Sequence, residues 1–264
     1  MGNIKSTGND IFHSGIMLNE VAFHNFPLVV SKSGLSFIIL DCEHGGFSYP
    51  DIAGIIMSAR HSGITIIVRL GDNGRKDITR LMDMGADGLL LPMTNTASDI
   101  SEVVSHAKYA PLGKRGVSTT RAHTMYHLDD LRAYMREANE RTMVFAQIET
   151  SQGIVNCADI LAAPGVNGVF IGPNDLSVDL GCLASGDYTP LTDAINDAGK
   201  AAVSAGKCAG IITENKTYLQ TAANCGFSLF CCGSEISLWK KGCVGIANEV
   251  LQLGDRGINV NKKE

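Results

Sequence analysis

Residues 143–175 read MVFAQIETSQGIVNCADILAAPGVNGVFIGPND, and this stretch decides the fold. Two short apolar runs, at about 143–149 and 167–172, enclose a helical pattern over about 151–162. Strands this apolar are buried on both faces, as in a parallel sheet covered by helices. Each run delivers a carboxylate where the strand stops and a helix begins, Glu149 after the first and Asp175 after the second. In parallel α/β architectures ligands collect outside the carboxyl ends of the strands, so the pair has the placement of a metal site.

The same punctuation extends outward in both directions. Strand-like runs are expected at about 15–19, 36–41, 64–69, 87–92, 208–213 and 227–233. Helical patterns alternate with them at about 50–61, 75–84, 96–107, 127–140, 190–205, 214–225 and 235–252, with a weaker one at about 20–33 around Pro27. Eight strands alternating with helices predict a (β/α)8 TIM barrel occupying residues 1–264 as one domain, with its core at about 15–252 and flexible termini. A doubly wound open sheet would need a Gly-rich nucleotide fingerprint, and none follows the first strand. Residues 109–126, YAPLGKRGVSTTRAHTMY, have no clean period and are expected to form a long loop at the catalytic face.

The net charge of -5 and sequence pI near 5.8 provide no basic field for nucleic acid or anionic lipid, and the 22 Lys and Arg are scattered. A small-molecule partner is expected, with no nucleic acid and no membrane. No run reaches the roughly 18 apolar residues of a membrane span, and the polar start MGNIKSTGND lacks a secretory core. The opening MGNIKS fits a short acylation pattern of low specificity. The eight Cys form no C-x-x-C pair and read as buried free thiols in a reducing cytoplasm, with Cys231 and Cys232 on opposite faces of one strand.

Chemistry concentrates at the ends of four strands. Gln147 and Glu149 share one strand face, and Asp175 arrives from the next strand; two carboxylates with waters and substrate oxygens suit a hard divalent ion. Both acids could instead serve as helix N-terminal carboxylates. His44, in DCEHGG, can be a base at neutral pH if Asp41 or Asp83 fixes its tautomer, or a histidine satisfied by backbone. Arg69 ends an apolar strand and needs an anion, either a substrate carboxylate or developing enolate, or an internal salt bridge. The turn Gly172-Pro173-Asn174-Asp175 offers the backbone N–H groups of Asn174 and Asp175 to a substrate carboxylate. His123 and His127 stand four apart, but a helix starting near His127 leaves His123 outside it.

Taken together and in order, DCEHGGFSY, IIVRLGD, LMDMGADGLLLPM, YAPLGKRGVS, QIETSQGI and GVFIGPNDLS resemble the metal-dependent class II pyruvate aldolases of the 4-hydroxy-2-oxoheptanedioate and 2-keto-3-deoxyglucarate type, over about residues 15–252. The resemblance implies a phosphoenolpyruvate-mutase-like barrel whose last helix packs on a neighbouring subunit, giving a hexamer assembled as a trimer of dimers. It implies that Glu149 and Asp175 hold a divalent ion (Mg2+, Mn2+ or Co2+) and that Gln147 with the backbone at Asn174 and Asp175 binds the pyruvyl part. His44 would be the base, Asp83 would raise its basicity and Arg69 would stabilise the transition state. The chain departs from the pattern at Ala110-Pro111, where relatives often have Pro-Pro, at Asn174, where Ala or Ser is usual, and after Arg115, so the aldehyde cannot be carried over.

The expected activity is that of a cytoplasmic aldehyde-lyase reversibly splitting a 4-hydroxy-2-oxo acid into pyruvate and an aldehyde. Its rivals are another oxo-acid C–C or C–P lyase of the phosphoenolpyruvate-mutase superfamily and a non-catalytic metabolite-binding barrel. A Schiff-base aldolase would need a lysine ending a strand, whereas Lys32, Lys76, Lys108, Lys114, Lys200 and Lys216 fall in helices or loops and Lys207 precedes its strand.

Overall fold

A computed structural model describes residues 11–252, in which eight parallel strands close into a barrel in chain order. They are β1 (His13–Leu18), β2 (Phe37–Asp41), β3 (Thr65–Arg69), β4 (Gly88–Leu91), β5 (Met143–Ile148), β6 (Gly168–Ile171), β7 (Cys208–Ile212) and β8 (Leu229–Ser234). Each expected strand is present, with ends shifted by one or two residues. Of the expected flexible termini, residues 11–14 are described and His13 and Ser14 already belong to β1; the rest, with the acylation match at residues 1–6, lies outside the described residues.

Alternation along each strand sorts side chains into two layers. Met17, Phe37, Ile39, Ile67, Leu90, Phe145, Phe170, Leu229 and Cys231 form one cluster inside the barrel. Their outward neighbours, among them Leu18, Ile38, Leu40, Ile66, Val68, Val144, Ala146, Val169 and Ile171, pack against the surrounding helices. Phe170 sits edge-on to Phe145 and Phe37, with ring centroids 5.3 and 6.3 Å away. Glycine is required opposite this ring: a Cβ on Gly210 would lie 2.4 Å from a Phe170 ring carbon.

The parity that buries Phe37 and Ile39 inside the barrel also carries Asp41 inside, one step nearer the carboxyl ends of the strands. It does the same for Arg69 beyond Ile67 and for Gln147 beyond Phe145. Asp41 and Arg69 are register partners across β2 and β3, as are Gln147 and Phe170 across β5 and β6. Side-chain caps start the helices that follow: Ser48 with Asp51 and Thr96 with Asp99 form reciprocal capping boxes, and Thr150 caps the helix Ser151–Val155.

Several expectations are corrected. The helix expected at about 20–33 shrinks to Phe26–Val30, with Pro27 in its first turn. The helix expected at about 151–162 is two, Ser151–Val155 and Cys157–Ala162. Residues 109–126 do not lie at the catalytic face of their own chain. They follow the helix Ala97–Ala107, which returns the chain to the N-terminal ends of the strands. There Lys108 Nζ donates to the carbonyls of Asn139 and Thr142, and Arg115 pairs with Asp83. Cys232 and Cys243 are exposed, and Cys42 and Cys225 are half-buried, so burial holds for half of the thiols; all eight are free, and Cys231 and Cys232 do face opposite ways. Among the described residues no helix is long and apolar enough to cross a membrane.

The helix Glu235–Gln252 is tied to the barrel near its start, through Glu235 and through an ion pair of Lys241 with Glu214 in the loop after β7. Glu235 is fully buried, and its carboxylate accepts the backbone N–H groups of Asn19, Glu20 and Val21 at 2.6–3.1 Å. Beyond it Ile236, Leu238, Trp239, Val244, Ile246 and Val250 are exposed. This clamp between the last helix and the loop after β1 has no apolar or glycine signal in sequence, only a glutamate at a helix start.

Candidate active site

Asp41 organises one side of the barrel mouth. It is fully buried, and its Oδ1 accepts Arg69 Nε at 2.8 Å while Oδ2 accepts Nη2 at 2.6 Å, a bidentate pair across adjacent strands. The same Oδ1 accepts the backbone N–H groups of Glu43 at 3.0 Å and His44 at 3.3 Å, which fixes the turn after β2. Arg69 Nη1 lies 3.2 Å from Glu43 Oε2. Burial works to lower the Arg69 pKa, but the hydrogen bonds and charge of Asp41, then Glu43 and Glu149, prevail and raise it. Arg69 is therefore both an internal ion-pair partner and a fixed cation facing the mouth.

Glu149 occupies the other side. Only 3% exposed, it accepts Met93 N–H at 2.9 Å on Oε2 and Gln147 Nε2 at 2.6 Å on Oε1. Neither acid is a helix cap: Thr150 caps the helix after β5, and the helix Pro173–Asp179 starts from Gly172 without a side-chain cap. Asp175 is exposed in the first turn of that helix. There its own N–H and that of Asn174 lack intrahelical acceptors by position. Gly172 is needed beside Glu149, since a Cβ there would come within 2.5 Å of Oε1.

Burial first, and then the charges of Glu43 and Asp175, push the Glu149 carboxyl above the ordinary range against the Met93 hydrogen bond. Glu43 is raised likewise by burial, with Asp41 and Asp175 adding to it and Arg69 and His44 opposing. Asp41, Glu43, Glu149 and Asp175 thus set four carboxylates against one guanidinium, an excess that a divalent cation relieves. Gln147 Oε1 is buried without a hydrogen-bond partner among the described residues, a second sign that a polar group belongs here. The side-chain oxygens gathered here, those of Glu149 and Asp175 among them, are of the type that fits a hard ion. Among the described residues no three His, Cys, Asp or Glu side chains stand as a ready-made ligand cluster.

His44 stands at the rim, its side chain 74% exposed and its Nε2 3.9 Å from Glu43 Oε2. Within the chain, the pairing of its ring with Asp41 or Asp83 does not form. Asp41 spends its oxygens on Arg69 and on backbone, and Asp83 lies at the far end of the barrel because the helix Arg75–Met84 runs antiparallel to the strands. There Asp83 Oδ1 accepts Arg115 Nη2 at 2.9 Å and lies 3.4 Å from His123 Nε2. His123 is buried with Nδ1 2.6 Å from the Tyr134 hydroxyl, and His127 is exposed beside Asp129, so the two histidines share no site. Glu43 was legible in DCEH by its two-residue offset from Asp41, and Met93 could not be anticipated because only its backbone acts.

A family model described as HpcH/HpaI aldolase/citrate lyase matches residues 28–236. The hydroxypyruvate/pyruvate aldolase of Delftia acidovorans is 30% identical over 218 residues, 82% of this chain and 80% of that protein. The 4-hydroxy-2-oxo-heptane-1,7-dioate aldolase of Salmonella arizonae is 30% identical over 221 residues, 83% of each. Among solved structures, an HpcH/HpaI aldolase from Desulfitobacterium hafniense superposes with a TM-score of 0.85 at 28% identity, covering 94% of this chain and 95% of that one.

Proposed function

The chain belongs to the HpcH/HpaI aldolase/citrate lyase family, and on that premise we propose that it is a divalent-metal-dependent lyase cleaving a 4-hydroxy-2-oxo acid to pyruvate and an aldehyde. The observation that carries this reading is the buried Glu149 carboxylate facing Glu43 and Asp175, with Arg69 as the neighbouring fixed cation. A divalent ion held by Glu149 and Asp175 supplies positive charge that polarises the oxo acid; the family's use of Mg2+, Mn2+ or Co2+ is part of this proposal.

The chain's own residues divide the remaining work. Gln147 and the first-turn amides of Asn174 and Asp175 orient the pyruvyl carboxylate. Arg69, held flat by Asp41, faces the charge that grows as C3–C4 breaks, and a preorganised cation is worth most there. His44, at the solvent-facing rim, takes the C4 hydroxyl proton in cleavage and returns it in addition. Its ring neighbour in this role is Glu43 in place of Asp83. The exposed apolar face of Glu235–Gln252 supports assembly with further copies of the chain as a homo-oligomer, with a hexamer the expected form.

The test is pyruvate release from a panel of 4-hydroxy-2-oxo acids, with Mn2+ affinity measured in parallel for Glu149→Gln. Because outer-shell partners alone are worth roughly 10–100-fold in metal affinity, this variant should lose at least that much together with activity. A variant that binds Mn2+ and releases pyruvate like the parent would remove Glu149 from the site.

A further inference from the structure

Asn19 follows β1 with its backbone fixed and its side chain unused. Its own N–H and those of Glu20 and Val21 donate to the fully buried Glu235 carboxylate at 2.6–3.1 Å. Among the described residues its side-chain amide takes no hydrogen-bond partner, and Oδ1 is buried. A partly buried amide without a partner is costly, so a rigid one at the barrel mouth calls for a ligand group. We propose that Asn19 contacts the substrate: its amide donates a hydrogen bond to the oxygen on C4, which is the carbonyl oxygen of the aldehyde half. This inference rests on the aldolase reading and adds a residue for the aldehyde to it.

Position comes from strand register. Met17 pairs with Ile39 and Leu18 with Leu40, so Asn19 comes level with Asp41. Met17 lies in the cluster inside the barrel, and the two-residue period turns Asn19 to the same side, into the layer of Asp41, Arg69 and Gln147. The Asn19 backbone also borders the turn that carries His44. A Cβ on Gly45 would lie 2.7 Å from the Asn19 carbonyl oxygen and 2.2 Å from that of Asp41. A substrate with its carboxylate at the Asn174 and Asp175 amides and its C4 hydroxyl at His44 runs from the β6 side of the mouth toward β2. Its C4 oxygen therefore arrives beside Asn19.

The chemistry gives the amide a task that no other residue at the mouth performs. In addition, C3 of the pyruvate enolate bonds to the aldehyde carbon, the carbonyl π pair moves onto oxygen, and that oxygen takes the proton held by His44. Cleavage runs the same steps backward. Arg69 is committed to Asp41 and Glu43 and faces the enolate charge. A neutral N–H donor on the C4 oxygen stabilises charge growing there while keeping its own proton. Because Oδ1 is bound to nothing, the amide is free to turn Nδ2 toward that oxygen, and the three bonds to Glu235 hold its backbone still meanwhile.

The experiment uses the full chain with Mn2+ and pyruvate, and measures kcat/KM for addition to acetaldehyde, whose only oxygen is the reacting one. Exchange of the pyruvate C3 protons in deuterated water, which needs no aldehyde, is followed alongside. Asn19→Ala should lower addition by roughly a hundredfold, the loss typical of one preorganised donor, and leave exchange within about twofold of the parent. Asn19→Asp, which keeps the shape and loses the donor, should lose addition at least as far. Addition kept by Asn19→Asp, or lost in step with exchange in both variants, overturns the inference and leaves the aldolase reading standing. Absence of exchange in the parent chain overturns the aldolase reading itself.

Discussion

Arg69 and Asp41 are register partners on neighbouring strands and meet in a buried two-point ion pair, Nε to Oδ1 at 2.8 Å and Nη2 to Oδ2 at 2.6 Å. The pair aims the guanidinium and leaves Nη1 toward Glu43 and the mouth. Arg69→Lys should therefore lower kcat by roughly a hundredfold or more, because a point charge replaces a planar fork whose value lies in the transition state. Asp41→Ala should destabilise the fold by about 3–5 kcal/mol by leaving the guanidinium buried and unpaired, measured by urea unfolding. A folded Arg69→Lys enzyme with unchanged kcat would reduce Arg69 to a structural ion-pair partner.

The His44 side chain is exposed, and its ring meets the site through Glu43. His44→Ala should cost roughly a hundredfold or more in aldol cleavage, within the range of positioned acid–base groups, while pyruvate still binds. Wild-type rates at all pH values would leave water as the sole base. Asp83→Asn, in contrast, should loosen the Arg115 and His123 contacts and leave the shape of the pH–rate profile unchanged.

His123 gives the fold a pH dependence of its own. Burial, then Arg115, lowers its pKa from 6.5 to about 4 against the pull of Asp83. A lowered histidine pKa means that the unfolded chain accepts a proton the folded chain refuses. The contribution is complete above pH 6.5 and is lost as pH falls toward about 4. The loss amounts to at most about 3 kcal/mol. Urea midpoints of His123→Gln should fall less steeply than the parent's over this interval; parallel curves would show that His123 titrates normally.

The helix Glu235–Gln252 exposes Trp239 and Ile246 at 52% and 64%. Trp239→Glu combined with Ile246→Glu should yield a smaller species by sedimentation, because a charge would be carried into a subunit interface. The separate substitution Glu235→Ala should free the loop at Asn19–Val21 and speed amide exchange there. An unchanged sedimentation coefficient would place the interface elsewhere.

The barrel was legible because apolar runs and punctuating glycines follow strand and helix periods. Gln147, Glu149, Arg69 and Asp175 were legible because parity and strand ends are local properties. What escaped reading was non-local. Asp83 was brought in by the resemblance, yet within the chain its helix carries it to the other end of the barrel. Residues 109–126 looked like a catalytic loop by length, although their position after a helix directs them to the opposite end. Met93 acts through its amide, and the acceptors for Asn19, Glu20 and Val21 come from Glu235, more than 200 residues away; neither leaves a periodic trace.

The most direct measurement of the central claim is pyruvate release from a 4-hydroxy-2-oxo acid after rigorous chelation and then after adding back a divalent ion. With Glu149 and Asp175 as ion ligands, EDTA should abolish release and Mn2+, Co2+ or Mg2+ should restore it. Full activity after chelation, or capture of a substrate imine by borohydride, would contradict it.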